Sequence, residues 1–223
     1  MFENKLQLGN GIYTVQEIAQ IFRLPYQKVH LWITKYWDGE LGKIYEQNYS
    51  WEINKTKAVG FHTLVEFYVL IQLAEAGVKT RQVLNAHKEL SKSFSTNFPF
   101  AKKEVLENIS TDGKKIYLKL NENTLTLDGS KQLNLDFIKL FFKKLDFDND
   151  MLASRFWPLG KKINIVCDPH RKFGQPIING TNIQSEAIYR MFLSNEPITF
   201  IAELYDLSIK NIKDAILYHK NVA

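Results

Sequence analysis

Apolar positions in the first third of the chain fall at helical spacing. Ile18, Ala19, Ile21 and Phe22 follow Thr14, a side chain able to cap a helix, and Glu17 three residues on completes a capping box. A break at Arg23-Leu24 precedes Pro25, whose fixed φ suits the first position of a second helix. That helix carries Val29, Trp32, Ile33 and Tyr36 at i, i+3, i+4 and i+7, a single buried stripe, and Asp38-Gly39 ends it. Two strand-like runs come next, from about Ile44 to Trp51 and from Thr56 to Phe61, with a polar tip at Glu52 to Lys55, as in a β-wing. Thr63 and Glu66 form another capping box, opening a helix to about Ala76 that stops at Gly77. Its Leu64, Val65, Phe67, Tyr68, Leu70, Ile71, Leu73 and Ala74 are apolar almost all round. Such a helix needs cover on more than one side, which points to a homodimer interface. Thr80 caps one more helix, to about Lys92.

Ser93 to Phe100 reads as a polar-aromatic linker. Beyond it, Lys115 to Leu120 and Thr124 to Leu127 alternate in polarity around Asn121-Glu122-Asn123, the mark of a hairpin. Asp136 to Leu145 has a helical pattern, and Arg155 to Pro158 and Ile163 to Val166 read as short strands. The last stretch predicts three helices, near Ser185 to Leu193, Ile198 to Tyr205 and Ile209 to His219. The expected fold is mainly α with small β elements. It has an N-terminal winged helix-turn-helix (1–95), a short β-containing middle segment (96–162) and a C-terminal trihelical, helix-turn-helix-like module (163–223).

The chain repeats itself. Residues 18–33, IAQIFRLPYQKVHLWI, align without a gap on residues 201–216, IAELYDLSIKNIKDAI. Ile18, Ala19, Leu24 and Ile33 match Ile201, Ala202, Leu207 and Ile216 in identity, and Ile21, Phe22 and Val29 match Leu204, Tyr205 and Ile212 in kind. A small Ala lets two helices cross closely and a Leu plugs their corner, so both copies read as helix-turn-helix units. Opposite the buried stripe, the first copy has Gln27, His30, Leu31 and Thr34 flanked by Lys28 and Lys35. These are donors, cations and one aliphatic for a thymine methyl, all suited to a major groove. Gln16 on the preceding helix, and Lys43, Lys55 and Lys57 around the wing, are candidate companions facing phosphates. The second copy shows Lys210, Lys213, Asp214, Leu217 and Tyr218 instead, a face that suits a protein better than DNA.

Composition narrows the function classes. Hydrophobic content of 45% is ample for a packed core, and net charge is +5. The surplus lies wholly before about residue 162, so one part faces an anionic partner and the other does not. A single cysteine, Cys167, excludes an intrachain disulfide framework and a Cys-rich zinc site, and fits a reducing, cytoplasmic setting. Met1 to Asn10 lacks the apolar run of a signal peptide, and no stretch approaches the ~18 apolar residues of a membrane span. Asp146, Asp148 and Asp150 open like a calcium loop, but Met151 and Trp157 stand where glycine and glutamate belong. Gly174 to Thr181 misses phosphate-loop spacing and lacks its lysine. The Cys167-Asp168-Pro169-His170 run brings no convergent side chains, and the five histidines show no paired metal spacing. No cofactor, metal or catalytic residue is expected, and the chain reads as a non-enzyme.

The block YTVQEIAQIFRLPYQKVHLWITKYW and the wing after it resemble a MerR-type winged helix-turn-helix, although Arg23 stands where such turns often carry glycine. The C-terminal block from Asp168-Pro169 through Gly174-Gln175-Pro176 and Asn179-Gly180-Thr181 to the I-A-E-x-Y-x-L run is similar to domain-of-unknown-function family 433. Trp157 to Gly160 and Phe98 to Ala101 resemble two-domain members of that family. The resemblance implies a VapB-type antitoxin that binds a PIN-like ribonuclease toxin and represses its own operon through operator duplex DNA. It also implies that residues from about 163 to 223 suffice to engage the toxin. Arg171 and Lys172, the one Arg/Lys pair of that module, are candidates to reach the carboxylate-rich toxin site, with a solvated loop as the alternative, and Asp214, Leu217 and Tyr218 are the further candidates for the partner surface. The competing expectation is a stand-alone MerR-like transcription regulator whose C-terminal half senses a ligand or protein.

Overall fold

The computed structural model describes residues 9–46, 48–53, 55–111, 116–120, 123–126 and 141–220. Its secondary structure is mainly helical with small antiparallel sheets.

The chain enters through a two-residue strand, β1 (Tyr13–Thr14), into helix α1 (Val15–Phe22). The Thr14–Glu17 capping box forms as the sequence predicts, with the Glu17 N–H donating to Thr14 Oγ1 and the Thr14 N–H donating to Glu17 Oε2. Helix α2 (Tyr26–Leu31) follows, with Pro25 as its N-cap, one position earlier than expected. Here expectation and structure part. Asp38-Gly39 does not end the helix: the backbone continues as a π-helix (Trp32–Leu41) and then α3 (Gly42–Tyr45). Val29, Ile33, Trp37 and Leu41 recur every fourth residue and are fully buried. The wider π turn keeps that four-residue spacing on one face, so Trp37 takes the inner place and Tyr36 is only half-buried. Residues 44 and 45 are therefore helical, and the hairpin is β2 (Ser50–Ile53) with β3 (Thr56–Val59). With β1 it makes a three-stranded sheet in the order β1-β3-β2.

Helix α4 (Phe61–Glu75) starts at a Gly60 N-cap, not at a Thr63–Glu66 capping box. Glu66 is instead wholly buried. Its carboxylate accepts from Trp37 Nε1 (3.2 Å) and the Phe100 N–H (3.1 Å), and lies 2.5 Å from His87 Nε2. Most of the apolar girdle of α4 is also covered within the chain, with Ile71 half-buried and Ala74 exposed. The helix sits in one core cluster with α1, α2, the π-helix, α5 (Thr80–Ser93) and residues from Phe100 to Phe156. The reason for seeking a dimer there is thus removed. The expected linker is anchored too: Phe100 is buried in a 3-10 turn (Pro99–Ala101), and Tyr49 Oη donates to the Asn97 carbonyl. Helix α6 (Lys103–Asn108) and strand β4 (Ile109–Thr111), neither foreseen, lead to the expected hairpin β5 (Ile116–Leu120) and β6 (Asn123–Thr126). Lys115, Asn121, Glu122, Leu127 and the first part of the predicted helix, 136–140, lie outside the described residues. Residues 141–144 are helical, and Leu145 already begins a strand.

A second sheet joins the middle segment to the C-terminal module. It runs β10-β9-β8-β7, from β7 (Leu145–Phe147) and β8 (Ala153–Phe156) to β9 (Ile165–Cys167) and β10 (Pro176–Ile178), crossing the 162/163 boundary through Phe156 opposite Cys167. The three terminal helices α7 (Ser185–Leu193), α8 (Ile198–Tyr205) and α9 (Ile209–Lys220) match expectation almost to the residue and enclose their own core of Ile188, Ile201, Ile212, Ala215 and Ile216.

Candidate functional site

The internal repeat is a repeat of backbone geometry. Arg23 closes α1 in the left-handed region (φ 56°), and Asp206, its equivalent 183 residues on, closes α8 at φ 52°. In both copies the next leucine's N–H bonds back to the small alanine's carbonyl, Leu24 to Ala19 and Leu207 to Ala202, each at 2.9 Å. This is a Schellman-type helix stop, and it holds without the glycine such turns often carry. Because the turn is the same, the residues after it have the same place in each copy.

In the first copy, α2 leaves Gln27, Lys28, His30 and Leu31 exposed. Tyr26 stacks on the His30 ring (6.0 Å) and the Lys28 ammonium lies 5.4 Å from the Trp32 ring, so both polar groups are held on an aromatic shelf. Thr34 is half-buried and spends its hydroxyl on the His30 carbonyl (2.8 Å), while Lys35 is exposed above Tyr36. Gln16, Arg23 and Lys43 are exposed as well. Arg23 did not figure among the candidates. Its signal was only its place in the turn, where a cation sits at the mouth of the helix pair. At the wing, Lys55 stands exposed at the tip in a left-handed conformation. Lys57 does not: its ammonium is held by Asp38 Oδ2 (2.8 Å) and Ser50 Oγ (3.0 Å). That correction has an electrostatic cause. Buried Asp38 also accepts the Tyr49 and Ser50 N–H groups, and a buried carboxylate draws in the nearest cation.

The partner surface expected on α9 needs a larger correction. Asp214 is only 7% exposed and accepts from the Asn164 N–H (2.9 Å) and Lys210 Nζ (2.6 Å), while Tyr218 is 2% exposed. Both are interior groups: Asp214 ties α9 to the loop before β9, and Tyr218 packs in the core of the three terminal helices. Leu217 is exposed as expected. Arg171 and Lys172 are exposed on the loop between β9 and β10, and Arg171 leans on Asp168 (3.8 Å). Next to them is a residue that sequence reasoning missed, Phe173, which is 56% exposed. Lys172 and Phe173 both have positive φ, at 46° and 55°. Two successive non-glycine residues held left-handed store strain, and the outward Phe173 stands beside two cations.

The same loop seats the module on the N-terminal unit. The Ile12 N–H donates to the Phe173 carbonyl (2.8 Å) and Gln175 Nε2 donates to Glu17 Oε1 (2.8 Å). The Asp-Pro and Gly-Gln-Pro positions thus work as a clasp. Cys167 beneath it is fully buried, and burial pushes its thiol pKa up, as suits an inert cysteine. Above the clasp, α1 and α7 bound a cleft of about 300 Å³ that includes Gln20, Gln175, Gln184, Tyr189 and His219. His219 lies 3.0 Å from Ser185 Oγ and stacks on Tyr189, and burial lowers its pKa. Among the described residues no group of three or more His, Cys, Asp or Glu is placed to hold a metal, and no helix is long and apolar enough to cross a membrane.

Comparison with curated proteins finds no match. Residues 165–219 match the family model described as protein of unknown function DUF433, a stretch that begins at β9 and ends within α9. A crystal structure of Rv2018 from Mycobacterium tuberculosis is similar over 96% of this chain and 100% of its own, with a TM-score of 0.68 and 16% identity. The clasp and three terminal helices therefore carry the DUF433 pattern, and the chain as a whole shares the fold of Rv2018.

Proposed function

We propose that the chain is a DNA-binding regulator whose first helix-turn-helix reads duplex DNA, and whose C-terminal module binds a second protein, a PIN-like ribonuclease toxin. On this reading it is an antitoxin and repressor of its own operon, and not itself an enzyme. The observation that carries the DNA half is the outward face of α2: Gln27, Lys28, His30 and Leu31 project from a helix braced by a capped partner helix, with Lys55 at the tip of the adjoining hairpin. The partner half is supported by the DUF433 pattern of the module and by the strained, exposed Arg171-Lys172-Phe173 tip.

The test is binding of the full chain to the duplex upstream of its own gene, followed by fluorescence anisotropy over a salt series. Affinity should fall steeply as salt rises, because each lysine at a phosphate releases counterions. Lys28→Ala should weaken all sequences alike and Gln27→Ala should blur the preference for the operator, each by roughly 1–3 kcal/mol. Affinity that ignores salt would sink the proposal.

A second reading has its own support. The cleft between α1 and α7 joins the DNA-facing unit to the module, the position where a small ligand could set their spacing. A metabolite that raises the melting temperature and changes operator affinity together would favour a ligand-sensing regulator.

A further inference from the structure

Five of the ten large apolar side chains that stand exposed among the described residues lie between residues 193 and 217. Two of them, Phe200 (46%) and Leu204 (57%), are one turn apart on the outer side of α8. Glu203 and Asp206 flank them, both exposed and in no ion pair among the described residues. The neighbouring helix has the opposite character. With Asp214 turned inward, the exposed stripe of α9 is Ile209, Lys213, Leu217 and Lys220, which contains no carboxylate.

The repeat shows that the α8 face is one the fold covers when it can. The positions equivalent to Phe200 and Leu204 on α1 are Glu17 and Ile21. There the chain covers them itself: Gln175 bonds to Glu17 and Ile21 is buried. In the second copy no described residue does this, and the exposed groups are more apolar. Exposed apolar side chains concentrated on one module mark an interaction surface.

We propose that a second copy of this chain covers it. The acidic-apolar face of α8 in one copy packs on the basic-apolar face of α9 in its twin, and the reverse contact forms across a two-fold axis. Two adjacent helices of opposite charge, each with its own apolar pair, meet the requirement of an isologous interface, in which residue i touches residue j and j touches i. Glu203 then faces Lys213 twice per dimer. This pairing rests on neither the DNA reading nor the ribonuclease reading. It also leaves α2 and the Arg171-Lys172-Phe173 tip uncovered.

The experiment is sedimentation equilibrium of the full chain across a concentration series. Wild type is expected to dimerise, and added salt to weaken the dimer. Glu203→Lys and Lys213→Glu should each raise the dimer dissociation constant roughly tenfold or more, since each puts like charges together twice. An equimolar mixture of the two variants should recover a heterodimer, because both swapped pairs are then complementary. Phe200→Ser with Leu204→Ser should abolish association while the far-UV circular dichroism and melting temperature stay near wild type. A wild-type chain that remains monomeric at roughly 100 µM, single variants that dimerise like wild type, or a mixture that gains nothing over its components would overturn the proposal.

Discussion

Gly174 stands at φ +86° directly against the Tyr13 ring, and a β-carbon there would run into the Tyr13 hydroxyl. That hydroxyl is buried and has no hydrogen-bond partner among the described residues, so the site has no slack to give. Gly174→Ala is expected to lower the unfolding free energy by about 1–3 kcal/mol, read from urea denaturation, through overpacking and a backbone angle that alanine resists. Two histidines act at the same scale. Burial lowers the pKa of both His62 and His219 from the ordinary 6.5. An unfolded chain binds the proton first, so stability is fully present above about pH 6.5 and falls as pH drops toward the lowered folded values. The urea midpoint should therefore be lower at pH 5.5 than at pH 7.5 (about one unit either side of that value), and His219→Gln should flatten the difference. A midpoint that rises on acidification would show that these rings are not held neutral.

At the scale of elements, the wing depends on a residue that reads as a helix stop. Asp38 holds the Tyr49 and Ser50 N–H groups, the Ser50 hydroxyl and the Lys57 ammonium, so the π-helix and hairpin are one unit. Asp38→Ala should cost about 1–3 kcal/mol for each buried donor left unsatisfied. The two wing lysines should then separate in experiment. On the proposed DNA-binding function, Lys57→Ala is expected to lower the melting temperature and leave operator affinity of the folded protein unchanged, while Lys55→Ala does the opposite. Periodicity at 3.6 residues placed α1, the start of α2 and the three terminal helices well, because those stretches are short and regular. It missed the π-helix because the spacing of Val29, Ile33, Trp37 and Leu41 belongs to a wider turn. It misjudged Glu66 because a capping box and a buried carboxylate have the same local sequence. The difference is made by Trp37, His87 and Phe100, which lie far along the chain from it.

For the whole molecule, the clasp decides how the parts divide. Residues 163–223 carry their own helical core, yet β9 pairs with β8 across the boundary and Cys167 belongs to the N-terminal core cluster. A fragment cut at 163 would expose that edge, so tests of partner binding belong in the full chain. On the proposed function, Phe173→Ser in the full chain is expected to weaken inhibition of a PIN-like ribonuclease partner and leave operator binding unchanged, with inhibition assayed on a labelled RNA. If operator binding falls and inhibition survives, the division of labour proposed here is wrong.

The sequence by itself determined the elements whose causes are local: the Thr14–Glu17 cap, the two equivalent helix turns, the terminal trihelical module, and the polar face of α2 opposite its apolar stripe. Cap, turn and stripe are written in residues three to seven apart, so they can be read without knowing what lies beside them. Tertiary structure alone decided which polar groups remain outside. Asp214 and Lys57 were drawn inward by partners distant in sequence and Tyr218 by the core of the terminal helices, while Phe173 stands outward at a positive φ, and Phe200 and Leu204 were left uncovered where Ile21 is buried. Whether a charge or ring meets solvent depends on packing between segments, and a one-dimensional pattern cannot carry that information.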